Sequence, residues 1–230
     1  MKGDLNMSQS ANSTKISFDW VEIPSGEFLM GSNPVEQVVS YRDESPQHQV
    51  DLPEFFMSAK PITNTQYEKF VKSTGHKKPG HWIGGVVPES RKNHPVTYID
   101  WADANQFAKW CGVRFPTEAE WEFAARCGSN TNYGFGDNAA NLATYGWYAA
   151  NADGKTHNAG QKLPNACGLH DMHGNVWEWC WDIGTSGRRI RGGSWDYDAD
   201  NAAVAYRVYG FYPDPRDYNF GFRLVRSSGN

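Results

Sequence analysis

Cysteine and histidine are the side chains of this chain best suited to chemistry, and their spacing argues against most of it. Cys111, Cys127, Cys167 and Cys180 are the only cysteines among 230 residues, and no two form a C-x-x-C pair. Neither a zinc knuckle nor a dithiol redox centre is therefore available. A reducing compartment keeps such thiols free, so all four are expected as buried thiols rather than disulfides. His170 and His173 stand three apart, which on a helix makes a metal-binding face, but their neighbours are strand and turn formers and ligation is not expected there. His48 reads as a structural histidine at a strand start. Arg188, Arg189 and Arg191 read as a solvated strand edge that resists pairing with another chain. No Ser-His-Asp order, phosphate-binding loop or dinucleotide glycine pattern occurs.

Residues 196–220 carry a different signal. They contain Asp, Tyr, Ala, Asn, Val, Arg, Gly, Phe and Pro, with no Lys, Glu, Gln, Met, Trp, Ile or Leu. Every type present can be reached from an asparagine codon by changing only its adenines, whereas Lys, Glu, Gln, Met and Trp cannot. That is the mark of adenine-directed mutagenesis. Tyr197, Tyr206, Tyr209, Phe211, Tyr212 and Tyr218 would supply large contact area at low entropic cost, and Asp196, Asp198, Asp200, Asp217 and Asn219 polar contacts. Asn201, Ala203, Val204, Val208 and Gly210 complete the candidate ligand-binding set. Ala199, Ala202, Ala205, Arg207, Pro213, Asp214 and Arg216 are assigned to a fixed frame. The competing reading is that an aromatic- and asparagine-rich terminal segment simply packs.

These residues need a scaffold, and its elements can be placed. Residues 1–15 are polar and read as a mobile tail, leaving 16–230 as one domain with residues 190–225 as a variable region. Phe18 to Ile23 alternates like a half-buried strand, and Pro24-Ser25-Gly26 leads to Phe28-Leu29-Met30-Gly31, which together read as a hairpin. Three helices have start signals: Thr63 with Gln66, Asp100, and Thr117 with Glu120, with stops at Gly75, Gly112 and Gly128. From Asn130 to Lys162 no period is visible and ordered loops are expected. Val176 to Trp181, Arg189 to Trp195 and Phe220 to Val225 read as short strands. Aromatics make up 14% of the chain, so rings must provide much of the burial. A net charge of −4 gives no footprint for nucleic acid. No apolar run approaches the roughly 20 residues of a membrane span, and no signal peptide is visible.

Val21-Glu22-Ile23-Pro24-Ser25-Gly26-Glu27-Phe28-Leu29-Met30-Gly31-Ser32, Phe115-Pro116-Thr117-Glu118-Ala119-Glu120-Trp121-Glu122, Gly174-Asn175-Val176-Trp177-Glu178-Trp179, Arg191-Gly192-Gly193-Ser194-Trp195 and Gly221-Phe222-Arg223 occur in this order. In this the chain resembles formylglycine-generating-enzyme (sulfatase-modifying factor) domains over about residues 18–226. The resemblance implies an α+β class, the C-type lectin fold of the formylglycine-generating-enzyme type, with short strands, about three helices and extensive ordered loops. Fold alone does not carry activity. The family enzymes oxidise a cysteine with a copper-binding cysteine pair, and the matching positions here are Tyr197 and Ala202. No copper is expected, and catalysis by that route is not expected either. The related sulfoxide synthases add a helical domain that this chain does not accommodate. Asp171, Gly174, Val176 and Glu178 match the stretch that supplies a calcium site in the family, with Asp where the enzyme has Asn. Calcium is the cofactor implied; the competing reading is that Glu178 only satisfies donors of the loop core.

Residues 196–220 also resemble the variable regions of diversity-generating retroelement proteins, which end in C-type lectin domains. The implied function is diversified ligand binding, to an unknown protein or cell-surface ligand. The alternative is a formylglycine-generating-enzyme-like oxidoreductase or a non-catalytic relative. The location expected is cytoplasmic, or a virion or cell surface reached through a partner.

Overall fold

The computed structural model describes residues 16–32, 44–184, 187–211 and 216–229. The tail expected over residues 1–15 lies outside the described residues, as do Tyr212, Pro213 and Asp214. β1 (Trp20–Ile23) and β2 (Gly26–Met30) are strands, as their alternation requires, but they do not form a hairpin with each other. β1 runs antiparallel to β4 (Phe55–Ser58), and β2 to β3 (His48–Leu52). A period of two fixes which face is buried and leaves the identity of the neighbour open. His48 opens β3 and is exposed.

A four-stranded sheet forms the other half of the fold. Its order is β7-β6-β5-β8, from β5 (Trp177–Gly184), β6 (Gly187–Arg191), β7 (Arg207–Phe211) and β8 (Phe220–Gly221). β8 runs parallel to β5, and the chain then turns into β9 (Val225–Ser227), which pairs with β4 and so ties the C-terminal region to the N-terminal strands. β6 is interior to its sheet, so the three arginines are not a solvated edge. Arg191 is fully buried, and the Arg188 guanidinium lies 3.8 Å above the Trp101 ring.

The helices begin where their capping signals stand. Thr63, Asp100 and Thr117 each close a capping box at the start of α1 (Asn64–Thr74), α2 (Trp101–Cys111) and α3 (Glu118–Arg126), with both reciprocal hydrogen bonds present. Gly75 and Gly112 stop α1 and α2 in the left-handed conformation. α3 stops one residue before the expected glycine, at Cys127 with φ 45°. A fourth helix of one turn, α4 (Leu142–Tyr145), interrupts the loops of residues 130–162. Rings join the halves: Phe107 stacks on Tyr67 at 5.5 Å, and Phe222 meets Phe107 and Phe115 edge-on at 5.5 and 5.6 Å.

The expectation of four free thiols is corrected at one pair. Cys127 and Cys167 form a disulfide across 40 residues, fastening the end of α3 to the loop before β5. Their separation along the chain concealed a proximity created by folding. Cys111 and Cys180 remain thiols, and burial raises both, Cys111 to about 12. Neither is suited to nucleophilic chemistry.

Candidate functional site

The frame of the candidate face is set by residues immediately before it. Arg191, at the end of β6, bonds through Nη2 to Glu122 Oε2 at 2.6 Å, and Arg126 Nη2 holds the other oxygen at 2.8 Å. Burial alone would raise the Glu122 carboxyl, but Arg191 and Arg126 outweigh it and hold it low. Gly192 and Gly193 both have positive φ, 96° and 74°. A Cβ at Gly192 would stand 2.9 Å from the Trp121 ring, and at Gly193 3.1 Å from Ala202 Cα. Close approach and left-handed backbone together require glycine there.

The segment is also tied at its ends. Asn219 Nδ2 donates to both oxygens of Asp196, at 3.0 and 3.1 Å, and Ser194 Oγ donates to the same carboxylate at 2.7 Å. Beneath it, fully buried His173 bridges two loops. Gly134 N–H donates to Nε2 at 3.2 Å, which leaves the proton on Nδ1 to donate to Ala202 O at 2.8 Å. Burial pushes this imidazole down to about 4, so it stays neutral. Sequence reasoning weighed His173 only as a metal ligand; its partners lie 39 and 29 residues away, and no local signal names them.

The candidate residues separate by burial. Tyr197 and Tyr218 are 39% and 44% exposed, and Asp198 and Asp200 are exposed beside Tyr197 in sequence. The Tyr197 ring meets Trp177 edge-on at 5.3 Å, and Tyr218 lies 5.6 Å from Trp195. Hydrogen bonding to Asp196, reinforced by its charge and those of Asp217 and Tyr197, pushes the Tyr218 phenol up to about 12. Asp196, Asn201, Ala203, Tyr206, Val208 and Asp217 are half-buried. Val204 and Asn219 are corrections: Val204 is fully buried in the cluster around Trp121, and Asn219 is 3% exposed, so both belong to the frame. Tyr209, Gly210 and Phe211 contribute backbone to β7, and their side chains are not among those described. Ala202 and Ala205 are buried, Arg207 pairs with Glu118, and Arg216 pairs with Asp100 and Asp103, as frame residues should.

At Asp171, Gly174, Val176 and Glu178, the residues implied for calcium, protein donors already hold both Glu178 oxygens, Asp171 Oδ2 and the Gly174 carbonyl, while Asp171 Oδ1 is buried without a partner. Arg223 grips both Glu178 oxygens, Nε to Oε2 at 2.6 Å and Nη2 to Oε1 at 2.7 Å, and Trp121 Nε1 donates to Oε2 at 2.7 Å. The guanidinium stands where a cation would draw its charge. Gly174 O accepts from Val176 N–H, Asp171 Oδ2 accepts from Gly160 N–H at 2.7 Å, and burial pushes the Asp171 carboxyl up to about 6. Calcium requires several available anionic and carbonyl oxygens. Among the described residues no group of three or more His, Cys, Asp or Glu is arranged to hold a metal ion.

A cleft that sequence reading did not foresee opens beside the face. It has a volume of about 320 Å³ and is lined by Arg91, Tyr98, Lys155 and Thr156 together with Trp195 and Tyr218. Arg91 ends a short 3-10 turn, Tyr98, Lys155 and Thr156 come from loops, and Trp195 closes the Arg191–Trp195 motif, so no single sequence pattern gathers the lining. Asp217 O accepts from the Tyr98 N–H at 2.8 Å and fixes one wall, with Tyr98 held at φ 57°.

Comparison with known proteins agrees with this architecture. The sequence profile of the sulfatase-modifying factor enzyme 1-like domain matches residues 7–228. A formylglycine-generating enzyme of Streptomyces coelicolor is 31% identical over 284 aligned positions, covering 90% of this chain and 89% of its own. The inactive C-alpha-formylglycine-generating enzyme 2 of mouse is 30% identical, covering 91% and 86%. Among solved structures, Treponema denticola variable protein 1 superposes with a TM-score of 0.77 at 26% identity, covering 91% of this chain and 95% of that one.

Proposed function

We propose, for a chain that belongs to the sulfatase-modifying factor enzyme 1-like domain family, that it is a non-catalytic, diversified ligand-binding protein. Its fixed C-type lectin scaffold, a single domain over residues 16–230, presents residues 196–220 to a protein or cell-surface ligand. One observation carries the reading. The exposed members of that segment among the described residues, Tyr197, Asp198, Asp200 and Tyr218, are all adenine-reachable types, while Gly192, Gly193, His173 and the Arg191 and Arg223 ion pairs that support them lie outside it. Such a division lets loop side chains change while the core does not. The likeness to a variable protein supports it, and the absence of any cysteine beyond Cys180 removes the thiolates that family catalysis needs.

Catalytic relatives at 31% identity favour a second reading, an oxidoreductase with other active-site groups. The deciding experiment is to sequence the DNA around the gene. A template repeat matching the codons of residues 190–225 except at adenines, near a reverse transcriptase gene, supports diversified binding, with display on a virion or cell surface through a partner. Absence of such a repeat, or a neighbouring sulfatase gene, refutes it in favour of the oxidoreductase.

A further inference from the structure

The cleft beside the variable face has a composition unlike that face. Of its lining residues only Tyr218 lies inside residues 196–220; Arg91, Tyr98, Lys155, Thr156 and Trp195 lie outside. Arg91 and Lys155 have no ion-pair partner among the described residues, although the chain as a whole is acidic. Both also line an adjoining cavity of about 350 Å³ with His94, His157 and Gln161, so the two cations stand where the cavities meet. Their field reaches the imidazoles nearby. After burial, Arg91 is the next cause that holds His81 and His94 down to about 4, and Lys155 contributes at His94. With His81 and His94 neutral, the positive charge of this wall comes from Arg91 and Lys155. Asp196, the carboxylate that the lining residue Tyr218 bonds, also accepts from Ser194 and Asn219.

We infer that this cleft is a constant anion subsite, in which Arg91 and Lys155 bind a carboxylate or phosphate group on a ring that packs against Tyr98, Trp195 and Tyr218. The inference rests on the ligand-binding reading and deepens it: diversified copies would vary the face yet share one oxyanion anchor. A planar guanidinium pairs with two oxygens at once, and a flexible ammonium supplies point charge beside it. Aromatic walls give a ring ligand large contact area, so the ring and its charge are recognised by different residues.

The test uses the full chain with phenyl phosphate and benzoate as anionic probes and benzyl alcohol as the neutral control, measured by calorimetry or tryptophan fluorescence. Saturable binding of at least one anion, weakened by salt and at least tenfold tighter than the alcohol, is expected; which anion binds tighter identifies the oxyanion. Arg91→Gln and Lys155→Gln should each weaken the anion about tenfold and leave the alcohol unchanged, whereas Tyr218→Ala should weaken all probes. Equal binding of charged and neutral probes, no saturable binding, or indifference to both charge-removing variants overturns the inference. Lys155 is exposed, so its variant tests the idea even if Arg91→Gln fails to fold. A template repeat in the DNA with no anion binding would defeat the subsite alone; anion binding without the repeat would defeat diversification alone.

Discussion

Asp171→Asn should stabilise the protein at neutral pH, and by an amount that grows between about pH 4 and 6. Asp171 is 1% exposed, its Oδ1 has no hydrogen-bond partner, and its φ is 56°. Burial raises its pKa from 3.8 to about 6, against the smaller opposing effect of the Gly160 N–H. A folded-state pKa above the unfolded one means that the native state binds more protons within that window. Stability associated with the group is therefore present below the unfolded value and lost as pH rises through the folded one. A rise of that size corresponds to about 3 kcal/mol of penalty above about pH 6. Asparagine keeps an oxygen for Gly160, cannot ionise, and tolerates left-handed backbone better than most residues. Its amide group then needs a partner, which subtracts about 1–2 kcal/mol. The net expectation at about pH 7.5 is a gain of about 1–2 kcal/mol, which for a domain of this size is about 2–8 °C in Tm. The assay is thermal unfolding of both proteins between about pH 4 and 8, each with calcium and with a chelator. A variant whose advantage shrinks as pH rises, or a wild type that loses stability in chelator alone, would refute the reasoning and return the carboxylate to a calcium role.

Other perturbations test other parts. His173 has its pKa lowered by burial from 6.5 to about 4, so the native state binds fewer protons than the unfolded chain in that range and loses about 3 kcal/mol as pH falls through it; His173→Gln should flatten the acid side of the Tm profile. Arg223→Met leaves Glu178 charged and buried, a loss of about 3–5 kcal/mol, and adding Glu178→Gln should recover much of it in a double-mutant cycle of urea unfolding. Replacing Cys127 and Cys167 with serine should lower stability by about 2–4 kcal/mol, read as a fall in Tm that reductant no longer deepens.

Local signals were legible in the sequence and long-range ones were not. The starts of α1, α2 and α3 follow from side chains three residues apart, and the structure has each cap where the pattern put it. The pairing of β1 depended on β4, which lies far along the chain beyond β2 and β3, so the adjacent β2 was the wrong partner. Arg191 looked solvated because its carboxylate, Glu122, lies 69 residues earlier. β7 lies within the variable region, where no strand was expected, although its Val, Tyr and Phe residues suit a short one. Val204 and Tyr197 share the same restricted alphabet, so only folding could separate the buried one from the exposed one. The fold class and the family came from ordered motifs, whereas the cleft draws Arg91 and Lys155 from stretches with no motif and sets them beside Trp195 of the Arg191–Trp195 run.

The Glu178–Arg223 ion pair also bears on which changes the segment admits. It joins residues on either side of the variable segment, and the parallel pairing of β5 with β8 aligns with it, so the base of the segment is clamped by residues outside it. Substitutions at Asp198 and Asp200, whose exposed side chains neither the clamp nor β7 uses, should therefore be well tolerated, whereas an insertion there would pull Ala202 away from His173 and Gly193. A scaffold built this way admits many compositions at its exposed positions while Ala202, Val204 and β7 hold the path of the chain between them.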